Sequence, residues 1–277
     1  MKQFKKIAAL ATALSLPLAA LPAQAGVVLD RIMSAKVMKV ATDANWAPQS
    51  FMNDKNEMDG FDIDVAKNIA SQLGVKVEFV TPGWDIITAG NWQGRWDMHA
   101  GSMTPTQARA KIFDFPAVYY YTPAAVAVHK DSRATKLSDL DAKVVGATAT
   151  STFEAYAKHD LTLDAAGAPP FKYEFEPKEV RSYTNSSTAF DDLRLGDGVR
   201  LDAVVSSMPS IVDAQKAGYP IKQLGEPVFY EPLVLAIEHG DKEFNDKLAA
   251  IIDEMRKDGT LSKLSVKWYG VDYTTAK

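Results

Sequence analysis

One group of residues in this sequence has the types and spacing to hold a carboxylate. In Thr104-Pro105-Thr106-Gln107-Ala108-Arg109, an arginine stands four residues beyond a hydroxyl–proline pair. A guanidinium holds a carboxylate through two parallel charge-assisted hydrogen bonds, a geometry that lysine does not reproduce. Thr104 before Pro105 reads as an N-cap followed by proline at the first helical position. A helix start of that kind presents unpaired backbone N–H groups and partial positive charge, both suited to an anion. Ser151 and Thr152 open a second expected helix and read as its cap. Taken alone, Arg109 reads more readily as a surface arginine on a helix, and the hydroxyls as structural caps. Other chemistries find no support. There is no cysteine, the 4 histidines show no metal-ligand spacing, and no nucleophile elbow, His-Glu-x-x-His or phosphate-loop motif occurs. His99 reads as a packed histidine within reach of a pocket. Asp43 and Glu154 are lone carboxylates of the kind that usually bind or cap. No catalytic group, metal or cofactor is expected.

Segments that alternate between strand and helix must position these groups, the pattern of an α/β architecture. Residues 37–41 read as a strand. From 62 to 72 the apolar Ile63, Ala66, Ile69 and Ala70 recur at helical spacing, with Leu73 and Gly74 at the end and Asp62 as the expected N-cap. Val75, Val77 and Phe79 then alternate with charged residues as a strand. A short helix is expected over 85–90 and a short buried strand over 97–100. The middle of the chain repeats the theme: strand 143–147, helix 152–158, strand 171–176, helix 188–195, strand 201–205 and helix 209–217, with a surface loop at 165–170. A last helix carries Phe244, Leu248, Ile251, Ile252 and Met255 on one face. Trp92, Trp96 and Trp268 read as core. The extended apolar stretches 121–128 and 230–237 suit two strands connecting two domains.

Lys2, Lys5 and Lys6, the apolar run 7–21 and Ala23-Gln24-Ala25 follow the order of a secretory signal, expected to be cut after Ala25. The chain is thereby expected to be exported and soluble, and periplasmic, since no cysteine follows the cut to carry a lipid. Stability must come from an apolar core without disulfides. Without the three signal lysines the 31 basic residues fall to 28 against 35 acidic ones, a formal −7. That balance argues against nucleic acid or an anionic membrane as partner.

The string GFDIDVAKNIASQLGVKVEFV (60–80), the GWD at 83–85 and GSMTPTQARAKIFDF (101–115) resemble successive blocks of the polar amino-acid-binding proteins of ABC transporters, the solute-binding family 3 with the type II periplasmic-binding-protein fold. The resemblance continues through VVGATATSTFEAY (144–156), LDAVVSSMPS (201–210) and KDGTLSKLSVKWYG (257–270), in matching order and spacing. It implies two lobes joined by two hinge strands, with residues 26–121 and 233–277 in the first and 122–232 in the second. A small ligand would be enclosed between them by hinge closure and handed to an inner-membrane ABC permease by a monomer.

By that resemblance Arg109 grips the ligand's α-carboxylate, Ser102 (through its carbonyl) and Thr104 meet its ammonium and carboxylate, and Ser151 with Thr152 complete the carboxylate site. Asp43, Trp46 and Trp84 would line the pocket from the first lobe. Two positions depart from the family's pattern. Ser207 stands where an aspartate usually pairs with the α-ammonium, and Gln49 where phenylalanine is common. Either another acid such as Asp43 substitutes, or the ligand lacks a free α-amino group. The rival functions are a cleft enzyme of the cyclohexadienyl-dehydratase type and a ligand-loaded partner of a sensor.

Overall fold

The computed structural model describes residues 26–163 and 170–275; the expected leader and all but the last residue of the expected loop at 165–170 lie outside them. One sheet runs through the molecule in the order Glu179–Tyr183, Val144–Thr148, Ala203–Ser207, Val118–His129, Ile221–Glu238, Met98–Met103, Val37–Ala41 and Lys76–Val80. The strands at its two ends pair in parallel, as helical crossovers require. Its centre is the long antiparallel pair Val118–His129 and Ile221–Glu238, matched from Ile221 and His129 to Val234 and Val118.

These two strands cross between two sets of apolar cores. On one side Met38, Val40, Phe61, Ile69, Leu235, Phe244 and Ile252 pack together, beside a cluster holding Trp92, Trp96 and Phe113. On the other, Val126, Val145, Phe153, Tyr156 and Val205 form one cluster and Ala127, Phe190, Leu201 and Ile211 another. Burying each such side chain contributes about 1.5–3 kcal/mol, so each side holds a core of its own. The molecule is a two-lobed α/β protein, lobe 1 carrying the first set and lobe 2 the second. Among the described residues no helix is long and apolar enough to cross a membrane.

Three expectations need correction. Asp62 does not cap its helix. The helix spans Phe61–Leu73 with Gly60 before it at φ 126°, and a Cβ on Gly60 would stand 2.4 Å from the Gln49 carbonyl oxygen. Asp62 is fully buried in the first turn, accepting hydrogen bonds from Tyr119 Oη (2.6 Å) and Ser102 Oγ (2.7 Å). Residues 171–176 are not a strand either, because the place beside Val144–Thr148 is taken by Glu179–Tyr183. Their aromatic alternation is side-chain packing: Tyr173 and Phe175 lie against Tyr156, with ring centroids 5.3 and 5.9 Å away. Period two records which side chains face a core, not whether the backbone has a neighbour. Lastly, Thr104-Pro105 does not start a helix. The short helix is Gln107–Ala110, capped by Thr106, and Thr104 is left free for other partners.

Candidate functional site

The site lies where the two crossing strands meet the edges of both lobes, in a cavity of about 520 Å³ counted to its open mouth. Lobe 1 contributes Asp43 from the end of Val37–Ala41, Trp46, Trp84 at the start of Trp84–Thr88, and Ser102, Thr104 and Arg109 in and after Met98–Met103. Lobe 2 contributes Thr148, Ser151, Thr152 and Phe153 at the head of Thr152–Ala157, and Asn185 and Ser186 at the head of Ser186–Leu193. Eight of the nine residues singled out in the sequence are thus brought together.

Ser207 is not among them. It is fully buried as the N-cap of Met208–Lys216, with its Oγ 2.8 Å from the Gln49 amide and 2.9 Å from Ser210 Oγ. With the Gln49 oxygen toward Ser207, its NH₂ reaches the Ala47 carbonyl and Ser210 Oγ, each at 3.2 Å. The two departures from the family pattern therefore meet each other, forming a neutral junction between the lobes.

Arg109 is held on three sides. Its Nη1 donates to the Thr104 carbonyl (2.9 Å), its Nη2 to the Thr150 carbonyl of lobe 2 (3.0 Å), and its guanidinium lies 5.2 Å from the centre of the Trp84 ring. Burial pulls its pKa down to about 10, with the negative Glu231 opposing, so it stays charged at neutral pH. Trp84 thus supports the cation, at an edge where cation–π contact is worth about 0.5–1 kcal/mol. Behind it, His99 is 1 % exposed, and burial together with Arg109 lowers it to about 3, so the ring is neutral. A side chain on Gly101 would place its Cβ 2.5 Å from His99 Nε2, so only glycine lets that ring reach the cavity wall.

Asp43 lines the cavity with Oδ1 accepting from the Asn45 N–H (2.7 Å), and burial raises its pKa. Ser102 has a left-handed φ of 57°, and its Oγ contacts Tyr120 Oη as well as Asp62. Burial pushes Asp62 up to about 7, against the two hydrogen bonds that favour its charged form. Ser151 Oγ caps its helix by accepting from the Glu154 N–H (3.2 Å), as its position suggested. Glu154 itself is tied down structurally by the Thr150 N–H (2.7 Å), Lys158 (2.7 Å) and Ser182.

The residue that sequence reasoning missed is Glu231, on the second crossing strand. It is 2 % exposed and lines the cavity. Its Oε2 accepts from Thr104 Oγ1 of lobe 1 (2.5 Å) and from Thr152 Oγ1 of lobe 2 (2.6 Å). Burial raises its pKa, while both hydroxyls and then Arg109 pull it back. The signal was present: a single acid inside the apolar run 230–237 breaks the pattern of a buried strand.

The sequence profile of the bacterial extracellular solute-binding proteins, family 3, matches residues 38–271. The chain belongs to that family. As a family 3 protein it is similar to the probable amino-acid ABC transporter-binding protein of Haemophilus influenzae, at 27% identity over 256 residues, covering 90% of this chain and 91% of the relative. Its fold matches the crystal structure of an ancestral amino acid-binding protein described as a precursor of cyclohexadienyl dehydratase. That match has 32% identity and TM-score 0.74, covering 87% of this chain and 99% of the other. An ancestral arginine-binding protein bound to glutamine matches with 34% identity and TM-score 0.73, covering 85% of this family 3 chain and 98% of that one.

Proposed function

We propose that this family 3 protein is the substrate-binding component of an ABC importer, enclosing an amino acid or related small carboxylate between lobe 1 (residues 26–121 and 233–277) and lobe 2 (122–232). The observation that carries the reading is Arg109, half-buried and lining the cavity beside hydroxyls from both lobes. A ligand that bridges such a joint stabilises the closed arrangement, and a membrane permease reads closure. Export to the periplasm and action as a monomer belong to the same reading, supported by the basic–apolar–small order of residues 1–25 and by the need of the lobes to move.

The protein acts by binding and not by catalysis. Supporting this, Glu154 is held by three structural partners, and the relative from Haemophilus influenzae is named a transporter-binding protein. The test is a thermal-shift screen of the refolded mature chain against the standard L-amino acids, cystine, opines, betaines and simple carboxylates. A rise in Tm with an amino acid that is recovered unchanged by mass spectrometry after prolonged incubation supports the reading. Conversion of the bound compound would make the protein an enzyme.

A further inference from the structure

The cavity wall carries a half-buried cation, Arg109, and a fully enclosed anion, Glu231, that form no direct ion pair with each other. Arg109 spends two of its nitrogens on the Thr104 and Thr150 carbonyls and makes no ion pair with Glu231. Glu231 satisfies only Oε2, through two uncharged hydroxyls, and Oε1 carries no hydrogen bond among the described residues. Arg109 acts on this carboxylate only at a distance, and a buried carboxylate whose direct donors are all neutral is costly, a cost relieved by a cation placed against it. A ligand with a negative and a positive end separated by one carbon would satisfy both walls at once. Nothing at Ser207 competes for the positive end, since that hydroxyl is consumed by Gln49 and Ser210 away from the cavity.

Resting on the amino-acid reading above, we propose that Glu231 is the anionic partner of the ligand's α-ammonium, so that the site selects zwitterionic α-amino acids over carboxylates that lack the amine. Because Glu231 sits on a crossing strand and is held by Thr104 of one lobe and Thr152 of the other, the ammonium is read at the joint itself. Charge introduced at Oε1 strengthens a group that already ties both lobes. An arriving ammonium also opposes the burial that raises the carboxyl, keeping it ionised. Asp43, which also lines the cavity, would then address the ligand's side chain.

The test pairs the tightest-binding amino acid of the screen with its desamino carboxylic acid, for example L-arginine with 5-guanidinopentanoate or L-glutamine with 4-carbamoylbutanoate. Kd values are measured calorimetrically on the mature wild type and on Glu231→Gln, whose amide oxygen still accepts from both threonines. Wild type favours the amino acid by about 30-fold or more, and in Glu231→Gln that preference collapses to within about threefold. Affinity for the desamino acid is expected to be nearly the same in both proteins. Glu231→Asp keeps the charge and keeps the sign of the preference, so it serves if the glutamine variant does not fold. Retention of the full preference by Glu231→Gln would overturn the inference and move the ammonium to Asp43. An equal loss for both ligands would also overturn it, reducing Glu231 to a tie between the lobes. Failure of wild type to bind any amino acid would instead defeat the transport reading itself.

Discussion

Among the contacts between the lobes, two junctions are built from different chemistry. At one, Thr104, Glu231 and Thr152 meet around a buried carboxylate that lines the cavity. At the other, Gln49, Ser207 and Ser210 meet through neutral groups, reinforced by Ser210 Oγ on the Ala47 carbonyl (2.9 Å) and Ser187 Oγ on the Asn45 carbonyl (2.9 Å). Neutral hydrogen bonds exchange evenly with water and contribute about 1 kcal/mol each. A buried charge does not, so only the first junction changes much in energy when a charged ligand arrives. On the proposed function the neutral junction would set how the lobes touch, and the charged one would make the touching depend on the ligand.

The largest effect expected from breaking this division is at Arg109. Arg109→Ala removes the cation and leaves Glu231 as an isolated buried anion, so affinity for any carboxylate ligand falls by about 30-fold or more; titration calorimetry measures it. A smaller effect sharpens the comparison directly. Thr152→Val and Ser207→Ala each delete one buried hydroxyl from a contact between the lobes. Losing a hydrogen bond to a charged acceptor costs about 1.5–3 kcal/mol, so Thr152→Val weakens ligand binding by roughly tenfold or more. Ser207→Ala costs about 1 kcal/mol of folding stability through the lost helix cap, read as a lower urea midpoint, with Kd changed less than about threefold. Equal effects of the two on Kd would erase the distinction between the junctions.

The last expected effect concerns Asp62, beneath Ser102. Its folded pKa of about 7 stands above the ordinary 3.8, so folding takes up a proton between those values. Its contribution is fully present below 3.8 and is lost as pH rises toward 7. Asp62→Asn cannot titrate, so its Tm should gain on that of wild type progressively across this window. A difference independent of pH would contradict the assignment.

Much of this was legible in the sequence, and the exceptions share a cause. Arg109, Trp84 and Ser151 sit in local motifs whose spacing fixes where they emerge, and the cavity receives all three. The crossing strands were visible as long apolar extended runs. Asp62 was read as a cap because acids at helix starts usually face solvent, whereas here Tyr119 and Ser102 from distant strands enclose it. Residues 171–176 alternate like a strand because Tyr156 collects their rings. Glu231 is fixed in the cavity by Thr104 and Thr152, 127 and 79 residues away along the chain. Local pattern places a side chain on a face; the partner that gives it a function comes from tertiary contact.

The most direct test of the account is a crystal structure of the mature protein with the tightest-binding amino acid of the screen. The account predicts an α-carboxylate bonded to Arg109 and an α-ammonium within hydrogen-bond distance of Glu231 Oε1, with Ser207 still paired to Gln49. An ammonium directed to Asp43 or Ser207, or a ligand seated outside the Arg109 cavity, would contradict it.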